Sequence, residues 1–320
     1  MAKTTIVIPN YKGIDYIDNC LSSIYKGTVI PNVIMVDNNS KDGSLALVKE
    51  KYCQVKIIEF TDNMGFCKAV NAGIKAADTP YVLLLNNDTE VDNHMVSCLE
   101  QALENDRKVF SAAAKMINLH APERLDGAGD FYCAFGWAFA RGKDKPAEGY
   151  DKPCRIFSAC AGAAIYRRGI FDNIGYFDEN HFAYLEDLDI GYRADIYGYH
   201  NKYVPEAKVY HAGSAATGSR HNAFKVTLSA RNNIYLIYKN MPLLQFVINL
   251  PLLAAGHLIK FAFFLHKGLG RAYLVGILQG FRMAFSKQGR KNKVRFAWRN
   301  LPNYFWIQGQ LWGNIVRRGL

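Results

Sequence analysis

TPYVLLLNNDTEV, residues 79–91, changes character halfway along. Tyr81 to Leu85 is a short apolar run behind Pro80, the pattern of a strand buried on both faces. Its tip carries Asn86, Asn87 and Asp88. A buried strand has no use for a cluster of amide and carboxylate oxygens at its end, so the cluster points to something held there.

The same change occurs three times upstream. Thr5–Ile8 runs into Pro9-Asn10-Tyr11, Val33–Val36 into Asp37-Asn38-Asn39-Ser40, and Val55–Phe60 into Thr61-Asp62-Asn63. The intervening stretches have helical spacing: Tyr16, Cys20, Leu21 and Ile24, then Leu45, Leu47 and Val48, then Ala69, Val70, Gly73 and Ile74. Strands and helices alternating at short intervals predict an α/β fold, with a mostly parallel central sheet flanked by helices. Ligands of such sheets bind beyond the carboxyl ends of the strands. One polar strand end is an ordinary turn; four on a single rim define a site.

At 320 residues, half of them hydrophobic, the chain suits one large α/β domain or one domain with an appendage. Charge is divided unevenly. All 28 acidic residues lie at or before Glu206, against 22 basic ones; from Ala207 onward there are 17 basic residues and no acid. Such asymmetry predicts contact with a polyanionic surface, membrane or nucleic acid. Seven scattered cysteines without a C-x-x-C pair read as reduced, mostly buried thiols. MAKTTIVIPNY enters a strand directly and shows no signal-peptide pattern, which predicts a cytoplasmic location.

No G-x-G-x-x-G follows the first strand and no G-x-x-x-x-G-K-[ST] occurs, which argues against a dinucleotide site or a P-loop. A divalent cation on oxygen ligands is the natural substitute for a glycine cradle. IVIPNYKG, IMVDNNSKDGS, DNMGFCKAVNAGI and LLLNNDTEV, in this order and spacing, resemble the nucleotide-sugar half of family-2 inverting glycosyltransferases with the GT-A fold. The resemblance implies that Asp37 holds the base or ribose, that Pro9, Asn10 and Tyr11 border the base, and that Asn63 lies near the nucleoside end. Asn86, Asn87 and Asp88 take the family's D-x-D position, where Mn²⁺ or Mg²⁺ meets the diphosphate. Asn86 replaces the usual first aspartate; binding through its oxygen, through water, or only positioning the loop are all compatible with the sequence.

Beyond Asp92 the text is less periodic until Cys160-Ala-Gly-Ala-Ala-Ile-Tyr-Arg-Arg168, whose small residues allow close backbone approach or a tightly packed strand. Arg167 and Arg168 are open to a phosphate or to solvent. Glu186, Asp187 and Asp189 open a helix continued by Ile190, Ala194 and Tyr197. Asp189 and Arg193 at i, i+4 form a ready ion pair, and carboxylates in a first turn also suit the helix dipole. The segment resembles the family's E-D element, which makes Asp187 the general base and Glu186 its neighbour. Lys202–His211 reads as an edge strand. VYHAGS resembles the strand end whose histidine completes the metal site, so His211 joins Asp88. Ser214 to Ala223, rich in small and polar residues, suggests a lid, and Arg231 is open to the diphosphate or to solvent.

MPLLQFVINLPLLAAGHLI, residues 241–259, is uncharged but holds two prolines, and the bulky apolar sequence after it is interrupted by Lys and Arg. A nucleic-acid arm would not be this apolar. Helices lying in the membrane interface account for both properties, ahead of a true span or an oligomer contact. The expected organisation is a catalytic unit over 1–240 (1–100 nucleotide-sugar half, 101–240 acceptor half) and a helical membrane-associating region over 241–320. GAAIYRR, FDE, EDLD and VYHAGS together most resemble bacterial rhamnosyltransferase-like members over about residues 3–240. That implies transfer of a sugar, first L-rhamnose from dTDP-rhamnose and next a UDP-hexose, to a hydroxyl of a lipid-linked glycan at the inner leaflet. A nucleotidyltransferase or a non-catalytic nucleotide-sugar binder are the rivals.

Overall fold

The computed structural model describes residues 2–213 and 222–319. The N-terminal half alternates as its periodicities require: β1 (Thr4–Asn10), α1 (Ile17–Tyr25), β2 (Asn32–Asp37), α2 (Ser44–Lys51), β3 (Lys56–Glu59), α3 (Phe66–Ala76) and β4 (Tyr81–Leu85). The strands are parallel in the order β3-β2-β1-β4. Successive strand residues point to opposite faces. Accordingly Ile6, Ile8, Met35, Leu83 and Leu85 enter one core with α1, while Val7, Val36, Val82 and Leu84 enter another with α3. A β-carbon on Gly73 would lie 2.2 Å from Cγ1 of Val7, so α3 lies directly on β1.

β5 (Thr89–Val91), α4 (Met95–Glu104), β6 (Val109–Asn118), β7 (Ala121–Gly127), a hairpin of β8 (Asp130–Cys133) and β9 (Trp137–Ala140), β10 (Cys154–Ile156), β11 (Ala163–Arg167), α5 (Phe171–Ile174), α6 (Glu186–Ile196) and β12 (His200–His211) complete the body. The large sheet runs β10-β12-β6-β11-β4-β1-β2-β3, with β5 on β12 and β7 on β6. Parallel pairing thus holds for the N-terminal four strands and for β6 with β12, whereas β11 is antiparallel to both neighbours. The sheet as a whole is mixed. β6, hidden in the stretch that lacked periodicity, is buried along nearly its whole length. Its Ser-Ala-Ala-Ala centre fits between two covered faces without the alternation that marks a one-sided strand. β12, expected at an edge, is interior because β6 lies on one side of it and β5 and β10 on the other.

α7 (Ala223–Asn240), α8 (Leu243–His266), α9 (Gly270–Ala284), α10 (Lys287–Asn292) and α11 (Leu301–Arg318) follow. Tyr304, Ile307 and Leu311 of α11 and Leu253 of α8 join the main core, so the C-terminal region is built onto the body. α8 continues through Pro251 as one helix. Its polarity is reversed: Gln245, Asn249, Leu253 and Gly256 face the protein, while Leu243 (77% exposed) and Leu258 (68%) face outward. It is long and apolar enough to cross a membrane. α9 crosses α7 on two glycines. A β-carbon on Gly276 would meet Thr227 O at 2.4 Å, and one on Gly280 would meet Arg231 O at 2.7 Å.

Helices α6 and α7 are joined by buried charges. Asp189 bonds Arg193 at 2.8 Å and Lys239 at 2.9 Å, and Lys239 also reaches Asp178 at 2.8 Å. The expected Asp189–Arg193 pair is therefore one edge of a larger network. His181 lies fully buried beside it, and neither ring nitrogen has a hydrogen-bond partner. Burial pushes His181 from 6.5 down to about 4.

Two outcomes follow from this packing. Gly276→Val should force α7 and α9 apart and cost about 1–3 kcal/mol, read as a lowered Tm, while Gly313→Ala, with open space around it, should not destabilise. His181 is neutral when folded and protonates more readily when unfolded, so its contribution is complete above about pH 6.5 and is lost as pH falls toward 4. Between those limits wild-type Tm should drop more steeply than that of His181→Leu; equal slopes would refute the neutral, buried histidine.

Candidate active site

The four polar strand ends do converge. Asn10 and Asp37 are register partners across β1 and β2, and Asn10 Nδ2 donates to Asp37 Oδ1 (2.9 Å) and Ser44 Oγ (2.9 Å). Ser40 N donates to Asp37 Oδ2 at 3.0 Å, so each oxygen of this buried carboxylate is held. Asn87 Nδ2 donates to Asn10 Oδ1 at 2.8 Å, tying the fourth strand end to the first. A β-carbon on Gly13 would come within 2.2 Å of Asn87 Nδ2 and 2.4 Å of Asn10 Oδ1, so a larger residue there would push into the hydrogen bond that joins the two loops. Asn38 accepts from Met64 N and donates to Gly65 O, and Asn63 accepts from Gly65 N, which fixes the third strand end beside the second. Pro9 and Tyr11 are half-buried on either side of Asn10, at the mouth of this network.

Asp88 and His211 are brought together by strand pairing. β5 begins immediately after Asp88 and runs antiparallel to β12, with Thr89 opposite His211. His211 Nε2 consequently lies 3.2 Å from Asp88 Oδ1 and 3.4 Å from Asn86 Nδ2. Asn86 N also donates to Gly162 O at 2.9 Å, which places the small residues before β11 against the motif. The other ring nitrogen, Nδ1, is 2.8 Å from Asp126 Oδ2, and Asp126 also pairs with Lys143. Burial opposes charge on His211, but the hydrogen bonds to Asp126 and Asp88 prevail and raise it to about 9. Asp126 was not anticipated. Its signal was Asp126-Gly-Ala-Gly-Asp130, two acids among residues too small to cover them.

Glu186 and Asp187 begin α6, as the helix pattern predicted. Asp187 Oδ1 accepts from Ala161 N at 3.1 Å, and Asp187, Asp130 and Cys160 bring their ligand atoms within 4.8 Å of one another. Burial, then the neighbouring Glu186 and Asp130 carboxylates, push Asp187 well up. Burial likewise lifts Glu186 and Asp130 to about 7, and Glu186 Oε2 has no hydrogen-bond partner. Asp130 is the second acid that the sequence reading passed over.

The segment leading into α6 is strained. Phe182, Tyr184 and Leu185 all have positive φ, at 62°, 70° and 65°. Such residues cost of order 1–3 kcal/mol each and persist only where surroundings hold them. Here Arg231 Nη2 donates to Asn180 O (2.9 Å) and His181 O (2.8 Å), while Asn232 Nδ2 donates to His181 O, Ala183 O and Tyr184 O. Arg231, expected at a diphosphate or in solvent, is instead directed at this loop. Arg167 and Arg168 are likewise occupied, by Leu103 O and Thr79 O, at the far end of the sheet. Of the lid expected over Ser214 to Ala223, all but the last two residues lie outside the described residues.

A family model described as Glycosyl transferase family 2 matches residues 5–175. The chain is 26% identical over 239 residues to the N-acetylglucosaminyl-diphospho-decaprenol L-rhamnosyltransferase of Mycobacterium tuberculosis, a match covering 67% of this chain and 77% of that one. It is 30% identical over 237 residues to an uncharacterized glycosyltransferase of Bacillus subtilis, covering 73% and 81%. Among solved structures, a mannosyltransferase from Pyrobaculum calidifontis in complex with GDP-Man and Mn²⁺ shares the fold, with a TM-score of 0.54 over 96% of this chain and 85% of that one, at 16% identity. Family motifs at four converging strand ends, and relatives matched over most of their length, lead to one conclusion: the chain belongs to glycosyl transferase family 2 and is a glycosyltransferase with the GT-A fold.

Proposed function

We propose that this glycosyltransferase is metal-dependent and inverting, and moves a sugar from a nucleoside diphosphate to a hydroxyl of a lipid-linked glycan. The observation that carries the metal is the approach of Asp88 and His211 to 3.2 Å beside the Asn86 amide, at the end of the strand where a diphosphate would sit. Asp88, His211 and Asn86 would hold the ion, and the donor set of carboxylate, imidazole and amide oxygen suits Mn²⁺ or Mg²⁺. With Nδ1 on Asp126, the imidazole presents Nε2 to the ion, the arrangement in which a carboxylate orients a ligating histidine. A bound divalent ion would neutralise charge on the leaving diphosphate. The match to a mannosyltransferase holding GDP-Man and Mn²⁺ supports the metal by fold alone.

In the proposed site Asp37 takes the base or ribose, Pro9, Asn10 and Tyr11 border the base, Asn63 lies at the nucleoside end, and Asn87 steadies the diphosphate loop through Asn10. Asp187 is the base. Its burial and its Glu186 and Asp130 neighbours raise its proton affinity, as a general base requires. The acceptor hydroxyl gives its proton to Asp187 as its oxygen bonds to the anomeric carbon. The bond to the diphosphate breaks on the opposite face, and the configuration inverts. Arg231 and Asn232 act by holding the loop before Asp187.

The donor read first from the motifs is dTDP-L-rhamnose, with UDP-hexoses next, and a relative named as an L-rhamnosyltransferase of a diphospho-decaprenol-linked sugar supports the first. A lipid-linked acceptor fits the outward-facing apolar side of α8, which would rest on the cytoplasmic leaflet.

A thermal-shift screen of nucleotide sugars with Mn²⁺ should single out dTDP-L-rhamnose; selective stabilisation by a UDP-hexose would reassign the donor. Asp187→Asn should lower turnover roughly 10²–10⁴-fold and leave nucleotide-sugar affinity unchanged in calorimetry. Wild-type turnover in that variant would remove Asp187 from the role. Asp126→Asn should weaken Mn²⁺ affinity about 10–100-fold while the nucleotide alone binds as before.

A further inference from the structure

A cavity lies where the C-terminal region meets the body. It has a volume of about 790 Å³, with Asn71, Lys75 and Tyr176 on one wall and Lys291, Lys293 and Arg295 on the other. The second wall is anchored: Val294 N donates to Lys239 O at 2.9 Å, and Asn292 Nδ2 donates to Asp178 Oδ2 at 3.1 Å. The lining cations differ in what they have to do. Arg193 and Lys239 are spent on Asp189 and Asp178 inside the buried network. Lys75, Lys291, Lys293 and Arg295 pair with no carboxylate among the described residues, and Glu179 is the only lining acid there without a cationic partner. Four cations without a carboxylate partner therefore share the cavity with one acid without a cationic partner, Glu179, which accepts from Asn71 Nδ2 at 3.2 Å.

The border of the cavity is aromatic. Lys293 Nζ lies 4.4 Å over the Tyr238 ring, which packs edge-on against the exposed Phe285. On the other side Arg295 leads into Phe296 and Trp298, which pack together, Trp298 being 79% exposed. A soluble phosphate has no use for exposed rings beside its cations. A lipid phosphate does, because aromatic side chains settle at the headgroup level while Lys and Arg meet the phosphate. We propose that this cleft is a seat for the phosphate of an anionic membrane phospholipid, distinct from the donor site. It rests on the reading of the C-terminal helices as membrane-associated, and it assigns to Lys291, Lys293 and Arg295 a preference for anionic lipid that the apolar face of α8 does not supply.

The test is co-sedimentation of the full chain with vesicles of phosphatidylcholine alone or mixed with phosphatidylglycerol. Wild type should prefer the mixed vesicles. Lys291→Ala/Lys293→Ala/Arg295→Ala should lose roughly 100-fold of that partitioning, keep its binding to phosphatidylcholine, and keep its thermal shift with nucleotide sugar. Lys267→Ala/Arg271→Ala/Arg282→Ala, an equal loss of charge outside the cleft, should lose clearly less. Equal losses in the two triple variants would mean a diffuse field and overturn the seat, as would unchanged partitioning of the first. Inorganic phosphate should release wild type from mixed vesicles no better than chloride of the same ionic strength; selective release, with a phosphate-induced Tm rise missing from the cleft variant, would assign the cleft to a soluble anion. No binding of wild type to either vesicle would overturn the membrane reading itself, an outcome separate from loss of the seat alone.

Discussion

Three ladder pairs, Val209 with Val91, Tyr210 with Glu90 and His211 with Thr89, carry a strand from late in the chain onto the tip of the fourth strand's motif. The approach of His211 to Asp88 and Asn86 depends on this short antiparallel contact. Because strand register steps in whole residues and alternates faces, a slip of one position would turn His211 away from Asp88. β12 cannot slip easily, since it is also paired with β6 along most of its length and with β10 at its start. The small β5 contact is thus held by a long one.

A second constraint fixes the acid cluster. The turn into α6 is in a conformation that its own residues disfavour, and α7 holds it through Arg231 and Asn232 while Lys239 binds the base of α6 through Asp189. Buried ion networks are seldom a net gain in stability, but removing one partner leaves an uncompensated charge, which makes the arrangement hard to alter piecemeal. The glycines that let α9 approach α7 extend the support outward. The position of Asp187 therefore depends on the C-terminal helices as much as on the sheet.

The C-terminal region itself has two faces. Gln245 and Asn249 of α8 hydrogen-bond inward, to Tyr192 and to Gln308 and Trp312, and the leucines of the same helix point out. A soluble surface helix does the reverse. An acid-free, cationic sequence with an outward apolar face is suited to a negatively charged interface.

The N-terminal strands and helices, the four polar strand ends and the family itself were readable in the sequence, because period and punctuation are local properties and the motifs sit together at fixed spacing. The roles proposed for Asp88, His211, Glu186 and Asp187 came only from family resemblance, since a lone histidine or a helix-capping acid has ordinary explanations. β6 was not readable: a strand covered on both faces by close neighbours needs small residues, not alternation. Nor were Asp126 and Asp130, whose proximity to His211 and Asp187 is made by pairing between strands far apart in the chain. Arg231 shows the same limit from the other side. Its sequence context offered a phosphate or water, and the folded chain gave it two carbonyls of a strained turn. The sequence by itself determined the N-terminal strands and helices and the polar residues at the strand ends. Only the tertiary structure decided which side chains meet, because meeting depends on register and packing between segments that carry no local record of each other.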